Sequence, residues 1–276
     1  METDLAEDNK DSIFYLNQKI ETQDIPPKII FIVPYRDRDQ QLHFFNKHMK
    51  YILEDFQETE TKMMIIHQND TRSFNCGAMK NIGFLIVKDM YPNDYKNITL
   101  VFNDVDTMPF TKNFIQYQTE KNMVKHFYGF KHTLGGIVSM NAENFEKING
   151  FPNFWAWGYE DNMLYDRVVK NKLIINRKQF YDFADKNILH FYDGFLKQVN
   201  KKEFERFVNF TSEGIRSIHN LYYTYNSNTN IYDVHTFDTE FKEDIKSIKT
   251  HDLHNGTSPF NHIKSNRGAT MSMTRL

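Results

Sequence analysis

The sequence predicts an α/β protein built around a mainly parallel sheet. Three observations carry this. Short apolar runs at residues 28–33, 63–66 and 98–102 read as buried strands. Two segments of helical spacing separate them, and each run is followed at once by polar residues. Strand, helix, strand, helix, strand is the pattern of parallel crossover units, whose ligands bind at the carboxyl ends of the strands.

Residues 1–24 are polar apart from Ile13-Phe14-Tyr15-Leu16 and read as a loose arm with a short helix. Pro26-Pro27 breaks the chain before the first strand, and Pro34 is expected to end that strand. Over 39–56, Leu42, Phe45, Met49, Ile52, Leu53 and Phe56 recur at helical spacing. Over 78–90, Ile82, Leu85, Ile86 and Met90 form one side of a second helix. The third strand runs straight into Asn103-Asp104-Val105-Asp106. In the less regular second half, Gly135-Gly136 leads into a strand over 137–139, and 142–148 is a short helix. Residues 149–159 carry both tryptophans, 160–170 are helical, and 173–175 and 188–189 are strand-like. A last helix is expected over 203–219, with Phe204, Phe207, Val208 and Ile215 as its apolar side. Beyond about residue 240 the composition turns polar, and 258–276 reads as a mobile tail.

Composition removes several classes of function. Hydrophobic residues make up 40% and charged residues 25% of 276 residues, enough for a sizeable core, so global disorder is excluded. Lys+Arg 34 against Asp+Glu 36 leaves a net charge of −2, with no basic excess to hold a nucleic-acid backbone. A lone cysteine, Cys76, rules out an intrachain disulfide framework. The apolar runs fall well short of the roughly 20 residues that span a bilayer. The acidic start, Met1-Glu2-Thr3-Asp4-Leu5, shows no signal peptide. Asn-X-Thr triplets at Asn69, Asn97, Asn209 and Asn255 read as chance in an asparagine-rich chain.

Two stretches carry chemistry. Asp104-Val105-Asp106 places alternate carboxylates at a strand end, where one can ligate a divalent cation and the other contact a ribose or sugar hydroxyl. Taken alone, the pair reads first as a solvated loop; its strand context makes a site an equal reading. A phosphatase of the Asp-x-Asp-x-Thr type ranks lower, because Thr107 falls one place too early and the pair follows the third strand, not the first. The second stretch is 149–162. Both tryptophans, Trp155 and Trp157, are candidates to stack on sugar rings, and Glu160 and Asp161 open a helix whose dipole favours carboxylates. His190 follows an apolar run, and it is a metal ligand only if Asp106 lies nearby. His251 and His254 receive no role.

These motifs, in this order, resemble the β-1,4-galactosyltransferases. Val33-Pro34-Tyr35-Arg36-Asp37-Arg38 is similar to that family's Pro-Phe-Arg-Asn-Arg strand end, and Ser73-Phe74-Asn75-Cys76-Gly77 with Lys80-Asn81-Ile82-Gly83-Phe84 to its Phe-Asn-Arg-Ala…Asn-Val-Gly-Phe. Asp104-Val105-Asp106, Gly135-Gly136 and Ile148-Asn149-Gly150-Phe151-Pro152-Asn153 follow. Trp155-Ala156-Trp157-Gly158-Tyr159-Glu160-Asp161-Asn162 resembles Trp-Gly-Trp-Gly-Gly-Glu-Asp-Asp, and Leu189-His190 sits where the family keeps a metal-binding histidine. Coverage is about residues 28–238.

The resemblance implies a GT-A-like nucleotide-diphospho-sugar transferase fold and inverting transfer of galactose, or GalNAc, from a UDP-sugar to a glycan or monosaccharide acceptor. It implies Mn²⁺, with Mg²⁺ as the alternative. Asp161 becomes the general base and Glu160 a sugar-hydroxyl partner. Pro34, Tyr35, Arg36, Arg38 and Phe74 cradle the nucleotide. Asp104, Thr133, Trp157 and Gly158 meet the donor, and Tyr159 and Asn162 the acceptor. Asp106 and His190 hold the metal, and Asn187 stands where some members place a methionine ligand. Cys76, Tyr159 and Asn162 depart from the pattern, replacing an arginine, a glycine and an acid. The implied organisation is an arm (1–27), a catalytic domain (28–238) and a polar C-terminal extension (239–276). A degenerate, non-catalytic nucleotide-sugar or glycan-binding module is the other class.

Overall fold

The computed structural model describes residues 25–192, 194–209, 212–255 and 258–260. The arm expected over 1–24, and residues 261–276 of the expected tail, lie outside the described residues.

The first half follows the predicted alternation. Strand β1 (Ile29–Tyr35) leads to helix α1 (Asp39–Ile52), β2 (Thr61–Gln68), α2 (Cys76–Met90) and β3 (Thr99–Asn103). Next come β4 (Thr107–Pro109), β5 (Met123–Gly129), β6 (Ile137–Asn141), α3 (Ala142–Lys147), α4 (Glu160–Lys170), β7 (Ile174–Asn176), β8 (Tyr181–Asp182) and β9 (Ile188–His190). The chain continues with β10 (Leu196–Asn200), α5 (Lys201–Asn209), β11 (His219–Asn226), β12 (Ile231–Asp238) and β13 (Ile248–Asp252).

The central sheet has nine strands in the order β11-β12-β2-β1-β3-β6-β5-β7, with β8 beside β5. β1 pairs in parallel with β2 and β3, β12 with β2, and β7 and β8 with β5. Only β6 and the edge strand β11 run against the rest. Residues of β1 are buried throughout, as a strand covered on both faces requires. Ile30 and Ile32 face one core, with Ile82, Phe84 and Phe145; Phe31 and Val33 face the other, with Leu42 and Phe45 of α1. Two-residue alternation thus feeds both sides of the sheet.

Four features depart from the sequence reading. β1 runs through Pro34 to Tyr35 instead of ending there. Its ladder to β3 stops at Ile32, so Pro34 has a neighbour on one side only, a place that tolerates a residue with no amide. The helix expected over 203–219 stops at Asn209 within α5, and His219 already opens β11. Gly214 packs so tightly on the Asn149 backbone that a side chain there would collide with it. The strands β5, β11, β12 and the β10–β13 ribbon were not visible in the sequence, because their residues mix polar and apolar types without clean alternation. Finally, the described part of the 239–276 extension is packed on the domain. β13 pairs with β10, and Phe260 is buried with Phe154, Phe204 and Phe207.

Among the described residues, no helix is long and apolar enough to cross a membrane.

Candidate active site

The site lies where β1, β2 and β3 end and the 149–161 segment crosses them. Its floor is a tight turn after β3. Buried Asn103 donates from its side-chain amide to the carbonyls of Asp104 and Thr107, both at 2.8 Å, and the Asp104 amide donates to Gly136 O at 3.1 Å. These bonds fix Asp104 and Asp106 relative to the sheet.

α2 supplies the back wall. Asn75 caps it, its side chain accepting from the Ala78 amide at 2.9 Å. One turn in, Asn81 clamps the Asn-Gly-Phe-Pro stretch: its amide group donates to Phe151 O (2.8 Å) and Asn153 Oδ1 (2.9 Å), and its oxygen accepts from Phe151 N (2.9 Å). The clamp delivers the chain to the start of α4, where Glu160 and Asp161 occupy the first turn.

Asp161 meets two groups there. Gly135 lies against it, so close that a Cβ at that position would collide with the carboxylate. Lys80 of α2, only 2% exposed, places its ammonium 3.6 Å from Asp161 Oδ1 and 3.3 Å from Asp104 Oδ1. Asp161 Oδ1 itself is buried with no hydrogen-bond partner among the described residues. Burial pushes the Asp161 carboxyl well above the usual carboxylate range, helped by the Glu160 and Asp104 charges and opposed by Lys80. Burial likewise raises the Glu160 carboxyl.

A second group adjoins the first. β4 pairs with β9 so that Thr107 stands opposite His190, and the Phe191 amide donates to Asp106 O at 2.8 Å. This pairing sets the backbone of Asp106 beside that of His190 and Phe191 across 84 residues of chain, the nearness that a metal role for His190 requires. Asp106 Oδ2 is 3.0 Å from Arg38 Nη1, and Tyr128 Oη lies 2.9 Å from His190 Nδ1. Among the described residues no group of three His, Cys, Asp or Glu side chains forms a ready metal cage. Asn187 donates through its side-chain amide to Asp185 Oδ1 at 2.9 Å, and its carbonyl accepts from Phe110 N. It lies in the turn just before β9, three residues from His190.

The remaining predicted residues are distributed around these two groups. Arg36 pairs with Asp70 at 3.5 Å and donates to the Arg72 carbonyl, joining the ends of β1 and β2. Buried Tyr35 donates to Asp39, and burial with that carboxylate pushes its phenol up to about 12. Phe74 packs partly buried against the core, its carbonyl accepting from Ala156 N. Thr133 is buried in a turn, its hydroxyl donating to Phe130 O at 3.2 Å, and the next residue's amide donates to Asp161 O. Asn162 is half-buried in the first turn of α4.

The tryptophan segment corrects one expectation. Trp155 does not offer a face to sugar. It is fully buried, stacked on Phe237 at 5.5 Å between centroids, with its indole N–H donating to Phe241 O. Trp157 is half-buried, and its backbone amide donates to Gln198 O at 2.7 Å. Gly158 has φ +100°, and a Cβ there would press on Phe260. Tyr159 has φ +75°, and its ring meets Phe204 edge-on at 4.6 Å. Its ring is committed to packing, which holds the segment down on α5.

Three contributors escaped the sequence reading. Gly135 was read as a turn residue, not as the space Asp161 occupies. His126 is buried and neutral, its pKa lowered to about 4 by burial and then by Arg177. It accepts from Arg177 Nε at Nδ1, and its Nε2–H faces the carbonyls of Tyr128 and Gly135 at 3.0 and 3.2 Å, so it braces the Gly135 loop. Lys80 is the third, and its signal was present: a cation among mostly apolar residues in the first half of the helix. A separate concavity of about 1200 Å³, lined by Lys88, Lys96, Lys121 and Glu143 among others, contains none of these residues.

A family model described as the N-terminal region of glycosyl transferase group 7 matches residues 19–119. One described as the N-terminal domain of galactosyltransferase continues over residues 117–193. Rat β-1,4-galactosyltransferase 6 is 30% identical over 216 residues, covering 73% of this chain and 54% of its own. The chain belongs to the β-1,4-galactosyltransferase family. Another member, the Caenorhabditis elegans xylosylprotein 4-beta-galactosyltransferase, is 31% identical over 159 residues, covering 54% of this chain and 53% of its own. The chain thus spans about half the length of these curated relatives. The fold of the family is also met in the catalytic domain of Drosophila β-1,4-galactosyltransferase 7 in complex with xylobiose, at TM-score 0.62 and 20% identity over 78% of this chain and 95% of that one. A variant of that enzyme in complex with manganese, UDP-Gal and xylobiose gives 0.61 and 22% over the same shares.

In this member of the family, the contact between Gly135 and Asp161 makes a prediction. Gly135→Ala forces the carboxylate or the loop aside, and a misplacement of about 1 Å costs on the order of 10²-fold in rate. Transfer assays on the folded variant should show a kcat loss of about that size, and wild-type kcat would show that the carboxylate does not depend on this space.

Proposed function

We propose that this chain transfers galactose from UDP-galactose to a sugar hydroxyl, with inversion and in β-1,4 linkage. The observation that carries the proposal is Asp161: a buried carboxylate oxygen, short of a hydrogen bond, at a helix start and facing the strand ends. A general base awaiting a hydroxyl has this character. In a single displacement, the acceptor hydroxyl loses its proton to Asp161 while its oxygen bonds to the anomeric carbon. The bond from that carbon to the diphosphate breaks on the opposite face, and UDP departs with the electron pair.

The chain's other residues take their roles around that event. Pro34, Tyr35, Arg36, Arg38 and Phe74 border the nucleotide at the ends of β1 and β2. Asp104 bonds the ribose or donor sugar, Glu160 a sugar hydroxyl, and Trp157 with Gly158 covers the donor. Asn162 is kept as an acceptor contact, whereas Tyr159 acts through packing. Asp106 and His190 fit a divalent ion: a carboxylate and an imidazole at the adjoining ends of β4 and β9, the ring oriented by Tyr128. When bound, such an ion supplies charge neutralisation at the leaving diphosphate. With Asn187 committed to its turn, the donor set is one oxygen and one nitrogen, which suits Mn²⁺ better than Mg²⁺. The xylosylprotein in the name of the C. elegans relative, and the xylobiose and UDP-Gal of the Drosophila structure, make a xyloside the first acceptor to try. Acceptor-dependent UDP release with UDP-galactose and Mn²⁺ tests the proposal; donor binding without release on any acceptor would favour the binding-module class.

Donor choice follows from Thr133. A small residue there leaves room for an N-acetyl group, so UDP-GalNAc should be accepted beside UDP-galactose. Thr133→Tyr should move the donor ratio toward galactose, by about 10- to 200-fold at most, the worth of a pocket contact of roughly 1–3 kcal/mol. Competition between the two donors reads this, and an unchanged ratio would remove Thr133 from the pocket.

A further inference from the structure

We propose that Lys80 is a positioning residue of the active site, its buried ammonium tying Asp104 on the floor to Asp161 on α4. The proposal rests on the reading of Asp161 as the base and adds a residue that reading does not contain.

The placement is unusual for a lysine. Lys80 lies on α2 between Met79 and Asn81, both fully buried, and it is itself 2% exposed. An ammonium is expensive to bury without partners. Here it has Asp104 at 3.3 Å, Asp161 at 3.6 Å and the face of Phe151 at 4.7 Å. Its two carboxylates belong to different elements, the turn after β3 and the start of α4. A lysine serving the fold alone would be satisfied by one partner; this one spans the two elements that carry the reacting groups.

The charges around Asp161 explain what the bridge does. α2 contributes Lys80 and the thiol of Cys76, one turn earlier. α4 contributes Glu160, the β3–β4 turn contributes Asp104, and the Gly135 loop brings no charge. Three carboxylates therefore share one ammonium. Without it they repel one another, and Asp161 is free to turn away from the acceptor or to hold its proton. Lys80 is the sole group in this set that favours the ionised base. The ammonium keeps its own proton, because Asp104, Cys76, Asp161 and Glu160 outweigh its burial.

The test is a carboxyl NMR titration of the full chain, with the Asp161 signal identified by its loss in Asp161→Asn. Lys80→Met keeps the length of the side chain without charge, and Lys80→Gln keeps a polar tip. Both should move the Asp161 titration upward by about one pH unit or more. In transfer assays, both should lower kcat at pH 7 with little change in KM for UDP-galactose, and activity should recover as pH rises. An unmoved Asp161 titration in either folded variant overturns the proposal. So does failure of both variants to fold, which would assign Lys80 to the fold alone. The titration needs no turnover, so a chain that transfers no galactose would refute the proposed function and leave this readout standing.

Discussion

Asp161→Asn is expected to lower the rate of transfer by about 10²–10⁴-fold, the usual loss when a general base is removed. Asparagine keeps the size and most hydrogen bonding but cannot take the proton. UDP-galactose binding should be nearly unchanged, because the base faces the acceptor. The raised Asp161 pKa gives two further signs. For catalysis, kcat/KM of the wild type should climb with pH through an acidic limb lying above the ordinary carboxylate range, since only the ionised base works. For stability, a carboxyl that holds its proton more tightly when folded loses stability as pH rises from its unfolded value to its folded one. At neutral pH Asp161→Asn should therefore melt no lower than wild type. A folded variant with near-normal turnover would exclude Asp161 as the base, and loss in Glu160→Gln instead would exchange the two carboxylates.

Asp106→Ala and His190→Ala should each reduce transfer to background. Both stand at strand ends; Asp106, buried, precedes β4 and His190, half-buried, closes β9. β4 and β9 meet through backbone bonds, which the substitutions leave in place, so the melting temperature should change little. Excess chelator should abolish wild-type activity, and Mn²⁺ should restore it. Full activity in chelator would remove the metal assignment, and restoration of either variant by higher Mn²⁺ would show that its ligand contributes affinity alone. Arg38 makes a useful control. It is 3.0 Å from Asp106 and would be expected to contact the nucleotide, so Arg38→Ala should raise KM for UDP-galactose while leaving the metal requirement.

Much of this was legible in the chain itself. The strands of the first half announce themselves because each is buried on both faces and therefore apolar without interruption, as Ile29-Ile30-Phe31-Ile32-Val33 shows. Asp104, Asp106, Glu160 and Asp161 stood out because two acids follow an apolar strand directly and two more open a helix next to both tryptophans. The partners that complete them were hidden. His190 reaches Asp106 only through a three-residue pairing of β4 with β9, and no local pattern encodes a pairing between short strands so far apart in sequence. Gly135 looked like a turn because glycine is common in turns; its use as empty space depends on α4, 26 residues later. Trp155 and Trp157 are two residues apart with the same chemistry, yet one is fully buried and the other half-buried. The difference is set by Phe237 and Phe241, which no local pattern places near Trp155. β10 and β13 escaped for a related reason: their polar ribbon is held by backbone bonds, not by an apolar face.

The most direct test of the account is to incubate the purified chain with UDP-galactose, Mn²⁺ and xylobiose, alongside a panel of monosaccharides, and to follow UDP release and the linkage formed. The account predicts UDP release that depends on an acceptor, stops in chelator and yields a β-1,4-linked galactoside. Release of inorganic phosphate from simple esters, or donor binding with no UDP release on any acceptor, would contradict it.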